Sequence, residues 1–164
     1  TKKITLDELQ NGLKQISISI PTFPVWLQII GASIVSPTLM VLFMDDYDWI
    51  DFPAAAVIGG LSYGVYLAIK HYTSVRFLSE MLTAIFMGMI TIYTCNIFPN
   101  LKVDNILIGS LMPLVPGVAI TNALRDLFDG DLLSGIARAT ESILTAAALG
   151  GGIGIAIKLL WGGM

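Results

Sequence analysis

The sequence predicts an all-α integral membrane protein of about five transmembrane helices, with a cytoplasmic N-terminus, an extracytoplasmic C-terminus and a fourth helix broken at Pro113 and Pro116-Gly117. Three observations carry this. The 164 residues are 55% hydrophobic and only 13% charged, against about 25% charged in an ordinary soluble domain. The apolar residues fall into five runs, each near the roughly 20 residues a helix needs to cross a bilayer core. The charges collect between those runs, which leaves too little polar surface for a soluble helical bundle.

Residues 1–20 read as a separate amphipathic segment, cytoplasmic or interfacial, and 21–164 as the five-helix transmembrane domain. Thr5-Leu-Asp-Glu8 fits a capping box, in which a hydroxyl and a carboxylate satisfy the first free amides of a helix. Leu6, Leu9, Leu13 and Ile16 follow at helical spacing. Pro21 and Pro24 end the segment. No cleavable signal peptide is visible, because the first apolar run follows this charged segment and not a short basic one.

The five apolar runs span residues 23–44, 52–69, 77–98, 103–124 and 140–161. Lysine and arginine accumulate on the cytoplasmic side of membranes. Lys2, Lys3, Lys14, Lys70, Arg76, Arg125 and Arg138 fall on one side of a five-helix topology, and Lys102 and Lys158 on the other, which also receives Asp45, Asp46, Asp48 and Asp51. That asymmetry places the N-terminus inside. Trp26, Trp49 and Trp161 lie near the predicted interfaces, where tryptophan is enriched.

The composition also excludes several functions. A net charge of -3 without a basic stretch argues against nucleic acid as a partner. Cys95 is the single cysteine and His71 the single histidine, so no zinc-type ligand spacing exists. No metal site or cofactor is expected. No nucleophile–base spacing or phosphate loop supports an enzyme.

Three features carry candidate chemistry. Gly60-x-x-x-Gly64 and Gly150-Gly-Gly-x-Gly154 suit close helix packing, or in the fifth helix a mobile or broken segment beside a pathway. Leu111-Met-Pro113-Leu-Val-Pro116-Gly117 removes amide donors within the fourth run. Free backbone groups at membrane depth are tolerated only where protein or water surrounds them. Such breaks suit either a packing kink or a half-helix terminus aimed at an anionic solute. A dense polar run from Thr121 to Glu141 follows, and its alternating ions suggest a compact, partly buried cap over the helix ends. Within it Arg125 adjoins Asp126, and Arg138 lies one turn from Glu141. In the third run Arg76 and Glu80 are spaced to pair.

The string LxPGxxxTNAxRDLxxGDxxSGxxRxxE resembles the hallmark of the threonine/serine exporter family. Its members here are Pro116, Gly117, Thr121, Asn122, Arg125, Asp126, Gly130, Asp131, Ser134, Gly135, Arg138 and Glu141. Upstream, Ile4-Thr5-Leu-Asp-Glu8, Pro24-x-Trp26, Leu42-Phe43 and Trp49-Ile50-Asp51 are also similar to the family. Val115 stands where the family has leucine before Pro-Gly, and Met44-Asp45-Asp46 where relatives tend to have glycines.

The resemblance implies a multi-pass exporter of the bacterial cytoplasmic membrane for threonine or serine, or, in split relatives, a dicarboxylate such as succinate. It implies a further cytoplasmic N-terminal region, and a second five-helix half as subunit or as another copy. The odd helix count would invert that half relative to this one. Arg125 or Arg138 is then expected to hold a carboxylate in a bidentate pair. Thr121, Asn122 and the Pro116-Gly117 break are expected to supply neutral hydrogen bonds, with Ser134 and Gly135 in the same motif. Asp126, Asp131, Glu141 and Glu80 are the candidates for proton coupling. A non-transporting membrane scaffold and a channel are the alternatives.

Overall fold

The computed structural model describes residues 23–44, 48–73 and 75–161. The amphipathic segment 1–20 and the Asp45-Asp46 pair lie outside the described residues, as do the side chains of Arg76 and Trp161. The described residues form helices α1 (Val25–Phe43), α2 (Asp51–Tyr72), α3 (Arg76–Ile97), α4 (Val103–Leu111), α5 (Gly117–Phe128) and α6 (Leu132–Trp161), with a single 3-10 turn, Met112–Leu114, between α4 and α5. Four helices are long and apolar enough to cross a membrane. The pair Val103–Leu114 and Gly117–Phe128, bent by 56°, makes a fifth candidate when counted as one broken span. The chain is therefore an all-helical multi-pass membrane protein with its fourth passage broken where the prolines stand.

Small residues set the packing. A methyl group added to Gly59 or Gly60 of α2 would overlap the side chains of Ser36 and Ser33 on α1. On α4, a Cβ at Gly109 would lie 2.8 Å from the Met40 Cβ and 2.9 Å from the Ser36 carbonyl. Ser33 and Ser36 turn their hydroxyls back to the carbonyls of Ile29 and Ala32, so the close faces carry no unsatisfied group there. The small-residue pattern of the second run thus acts in helix packing, through Gly59 and Gly60 more than Gly64, whose added Cβ would meet only Ile29 at an ordinary 3.6 Å.

α3 and α6 run parallel. An added Cβ at Gly152 would lie 2.7 Å from the Ala84 Cβ, and one at Gly88 2.6 Å from the Ala156 Cβ. The glycine-rich part of α6 does not break the helix: α6 is continuous from Leu132 to Trp161, and only Gly152 among these glycines has a close neighbour. Gly150, Gly151 and Gly154 face open space.

The fifth apolar run was expected from residue 140, yet its helix begins at Leu132. Hydropathy marks the stretch that suits lipid, whereas the leucines, alanines and arginine upstream are good helix formers in any solvent. At 30 residues α6 is about 45 Å long, well beyond a bilayer core of about 30 Å. The Gly152–Ala84 and Gly88–Ala156 contacts align Arg76 with Leu144, so Leu132–Ile143 overhangs the start of α3 by about 18 Å.

At the opposite end, a buried carboxylate ties the bundle. Asp51 opens α2 and is fully buried. It accepts hydrogen bonds from the Lys102 amide and the Asn105 Nδ2, each at 3.0 Å. Asp48 pairs with Lys102 Nζ at 3.3 Å beside it. This joins α2 to the start of α4, and one turn further on Ser110 donates to the Ala55 carbonyl at 3.5 Å. Charged hydrogen bonds of this kind contribute about 1.5–3 kcal/mol each. Asp51→Ala should therefore lower the unfolding free energy by about 3 kcal/mol, read as a reduced melting temperature of the solubilised protein. An unchanged melting temperature would show that the carboxylate anchors nothing.

Candidate functional site

The site begins at the broken passage. Pro113 and Pro116 lack amide donors, and the α-helical ladder does not run from α4 into α5. The chain tightens instead: Val115 N–H donates to the Met112 carbonyl at 3.3 Å, and Gly117 N–H to the Val115 carbonyl at 2.8 Å. Leu114 is buried here against Ala84 of α3 and Leu149 of α6, flanked by Tyr63 and Tyr66 of α2. The break is thus seated inside the bundle. α5 starts at Gly117 with Pro116 as its N-cap; the Gly117 amide is taken up by the Val115 carbonyl, and no side chain caps the helix start. A Cβ at Gly117 would meet nothing within 4 Å.

The polar run expected as a compact, partly buried cap is helical almost throughout. α5 carries it to Phe128, a turn of Asp129–Asp131 follows, and α6 resumes at Leu132. Gly130 has φ +87°, a left-handed conformation that glycine adopts at no steric cost. Asp131 caps the new helix through a long 3.5 Å bond from the Ser134 amide. The motif therefore forms an antiparallel two-helix hairpin, not a cap. α5 packs against α6 and makes no comparable contact with the other helices.

The hairpin sorts the motif residues. Asp126 on α5 accepts a hydrogen bond from Ser134 Oγ at 3.1 Å and pairs with Arg138 Nε at 3.4 Å, both on α6. Its side chain is 24% exposed. Gly135 lies between, where an added Cβ would stand 2.6 Å from Leu127 Cγ and 3.0 Å from the Leu127 amide nitrogen. Arg125 instead points outward, 79% exposed, with only a loose 3.7 Å pair to Asp129 one turn on. Exposed pairs of this kind contribute little, so the guanidinium is easily recruited elsewhere. Thr121, one turn before Arg125, bonds back to the Gly117 carbonyl at 3.0 Å, and Asn122 is half-buried beside it. Arg138 was expected to be placed for Glu141, but the structure shows it paired with Asp126 across the hairpin.

Pro116, Gly117, Thr121, Asn122 and Arg125 thus share α5, and Asp126, Ser134, Gly135 and Arg138 form its contact with α6. Asp131 serves the turn, and Glu141 is half-buried further along α6. Glu80 stands apart. It is buried on α3, level with Ala148, roughly 10 Å along the helix axis from Glu141. The sequence reading passed over several buried hydroxyls that line the bundle, among them Ser62, Ser79, Thr83 and Thr91, and Ser142 and Thr145 on α6. The helical spacing of Ser79 with Thr83 and of Ser142 with Thr145 was the available signal. No group of three or more metal-ligating side chains occurs among the described residues.

A family model described as "Putative threonine/serine exporter" matches residues 1–160. The chain belongs to the threonine/serine exporter family. That family is a class of membrane transporter and not of enzyme, in keeping with the apolar helices. No curated relative and no solved structure matches the chain. Within the exporter family's motif, the hairpin geometry gives a direct comparison of two glycines. Gly135→Ala should destabilise the protein by about 1–3 kcal/mol through overpacking against Leu127. Gly150→Ala, on the open face of α6, should be neutral or stabilising by up to about 1 kcal/mol. Thermal unfolding of the two variants in detergent checks this, and equal effects would contradict the close contact at Gly135.

Proposed function

We propose that this chain is one half of a secondary exporter for a small carboxylated solute, threonine or serine in the first place and a dicarboxylate such as succinate in the second. The observation that carries the reading is the broken fourth passage, which leaves the start of α5 uncapped and sets an outward-facing guanidinium two turns along the same helix. The partial positive charge of a helix start favours anions. Arg125 can form two parallel bonds with a carboxylate, geometry that lysine cannot reproduce. Thr121 and Asn122 flank it with neutral donors and acceptors for the amino or hydroxyl group of the solute. Glu80, buried on α3, and Glu141, half-buried on α6, are the carboxyls we assign to proton coupling.

Among the described residues α5 packs on α6, and Arg125 points away from that contact. A second five-helix half, either a separate subunit or another copy, supplies the opposite wall. Five passages reverse the orientation of a following half, and inverted halves with a site at their interface are a common basis for alternating access. The charge asymmetry supports an N-terminus inside and a C-terminus outside, in a bacterial cytoplasmic membrane.

Efflux of radiolabelled threonine, serine and succinate from proteoliposomes, with and without a second five-helix subunit, tests the reading. Saturable efflux of one solute that requires the second half is expected. Arg125→Lys should reduce it at least about ten-fold, the loss of roughly 1.4 kcal/mol of recognition. Non-saturating flux would indicate a channel, and no flux with any partner would indicate a scaffold. Either result overturns the proposal.

A further inference from the structure

We propose that Asp126, Ser134 and Arg138 are positioning residues, forming a clasp across the α5–α6 hairpin that fixes the angle of α5 and leaves Arg125 as the motif cation presented to the solute. The clasp is read from the hairpin geometry alone. Only the statement of what it presents rests on the exporter reading above.

The need for a clasp follows from how α5 is attached. One end emerges from a proline break that transmits no helical ladder, and the other joins α6 through the turn Asp129–Asp131. The bundle does not hold it, because α6 is its packing partner. The apolar part of that contact is thin. Ala123 is the one α5 residue that is fully buried. Beside it, a groove of about 210 Å³ lies between Ile120 and Leu124 on α5 and Ala139, Ile143 and Ala146 on α6. Smooth apolar surfaces with space between them resist separation but specify rotation poorly.

The polar contact supplies the missing direction. Both bonds converge on one carboxylate oxygen, Asp126 Oδ2, from residues one turn apart on α6. Turning α5 about its axis, or sliding it by a turn, breaks both together. Gly135 brings the two backbones close enough for the short side chains of Asp126 and Ser134 to meet. Ionic contacts in such a setting add little net stability, and their value lies in selecting one arrangement over others. Adjacent residues on a helix point about 100° apart. With Asp126 held against α6, Arg125 is turned into the open, and Thr121 lies one turn away on nearly the same face.

This divides the motif differently from a direct solute site. Asp126 and Arg138 satisfy each other, so neither acts as the carboxylate receptor or the proton carrier.

A charge swap separates these roles. Asp126→Ala or Arg138→Ala should raise the solute concentration for half-maximal efflux about ten-fold, in the range of coupling energies for contacting pairs. The combined Asp126→Arg, Arg138→Asp chain should recover at least half of that loss, since a reversed pair restores the ion contact across the hairpin though not the bond from Ser134. Direct solute contact would give no rescue, because the reversed charge at 138 would repel a carboxylate. A second measurement is independent of transport. In a Cys95→Ala background, spin labels at Phe128 on α5 and Tyr72 on α2, both strongly exposed, report where the end of α5 sits. The distance distribution should broaden or shift in Asp126→Ala and in the near-isosteric Asp126→Asn, and recover in the swapped chain. An unaltered distribution in Asp126→Asn overturns the clasp even if the swapped chain fails to fold. Altered distances without measurable transport of any solute leave the clasp standing and overturn the exporter reading instead.

Discussion

Two absent amide protons shape the functional half of this protein. Pro113 and Pro116 remove two rungs of the fourth passage's hydrogen-bond ladder within three residues of each other, and the helix gives way there to a 3-10 turn and a bend. Because Leu114 is buried between the two prolines against Ala84 and Leu149, the interruption is held inside the bundle and not extruded into lipid. The bend of 56° then directs α5 along the overhanging part of α6. Without that bend the Thr121–Arg125 stretch would extend a straight membrane helix, and the hairpin contact of Asp126 with Ser134 and Arg138 would not exist.

The remainder of the molecule serves as a rigid frame for this bent passage. Close approach through Gly59, Gly60, Gly88, Gly109 and Gly152 lets five passages pack with short side chains between them. Asp51 locks the entry of α4 to the start of α2 at the end farthest from the motif. The fold is therefore fixed tightly at one end by a buried carboxylate and more lightly at the other by a partly exposed one. Rigidity at the first allows the angle at the second to be set by a few polar contacts.

Much of this was legible in the sequence. The number of candidate passages follows from apolar runs of bilayer length, and the break from two prolines three residues apart followed by a glycine, whereas the lone Pro37 is carried inside a continuous α1. The start of α6 was not legible from hydropathy, because Leu132–Glu141 is polar enough to look like a loop while its residues favour helix. The pairing inside the motif was also hidden. Arg138 and Glu141 are neighbours in sequence, whereas the Asp126 contact depends on the turn at Gly130 folding α5 back on α6. Asp51 read as one more loop acid, and its burial depends on Asn105 and the Lys102 amide arriving from far along the chain. Periodicity identifies elements, but contacts between elements need the bends and turns that place them.

The central claim is that the bent passage presents the Gly117–Arg125 face of α5 to water and solute. Single cysteines placed along residues 103–125 in a Cys95→Ala background, probed with a membrane-impermeant thiol reagent, test it most directly. No labelling is expected at Ile106, Leu107 and Ser110, which are buried, and rapid labelling at Gly117, Thr121 and Arg125, which excess threonine, serine or succinate slows at Gly117, where Arg125 is intact. Uniform resistance to the reagent across Gly117–Arg125 would contradict it.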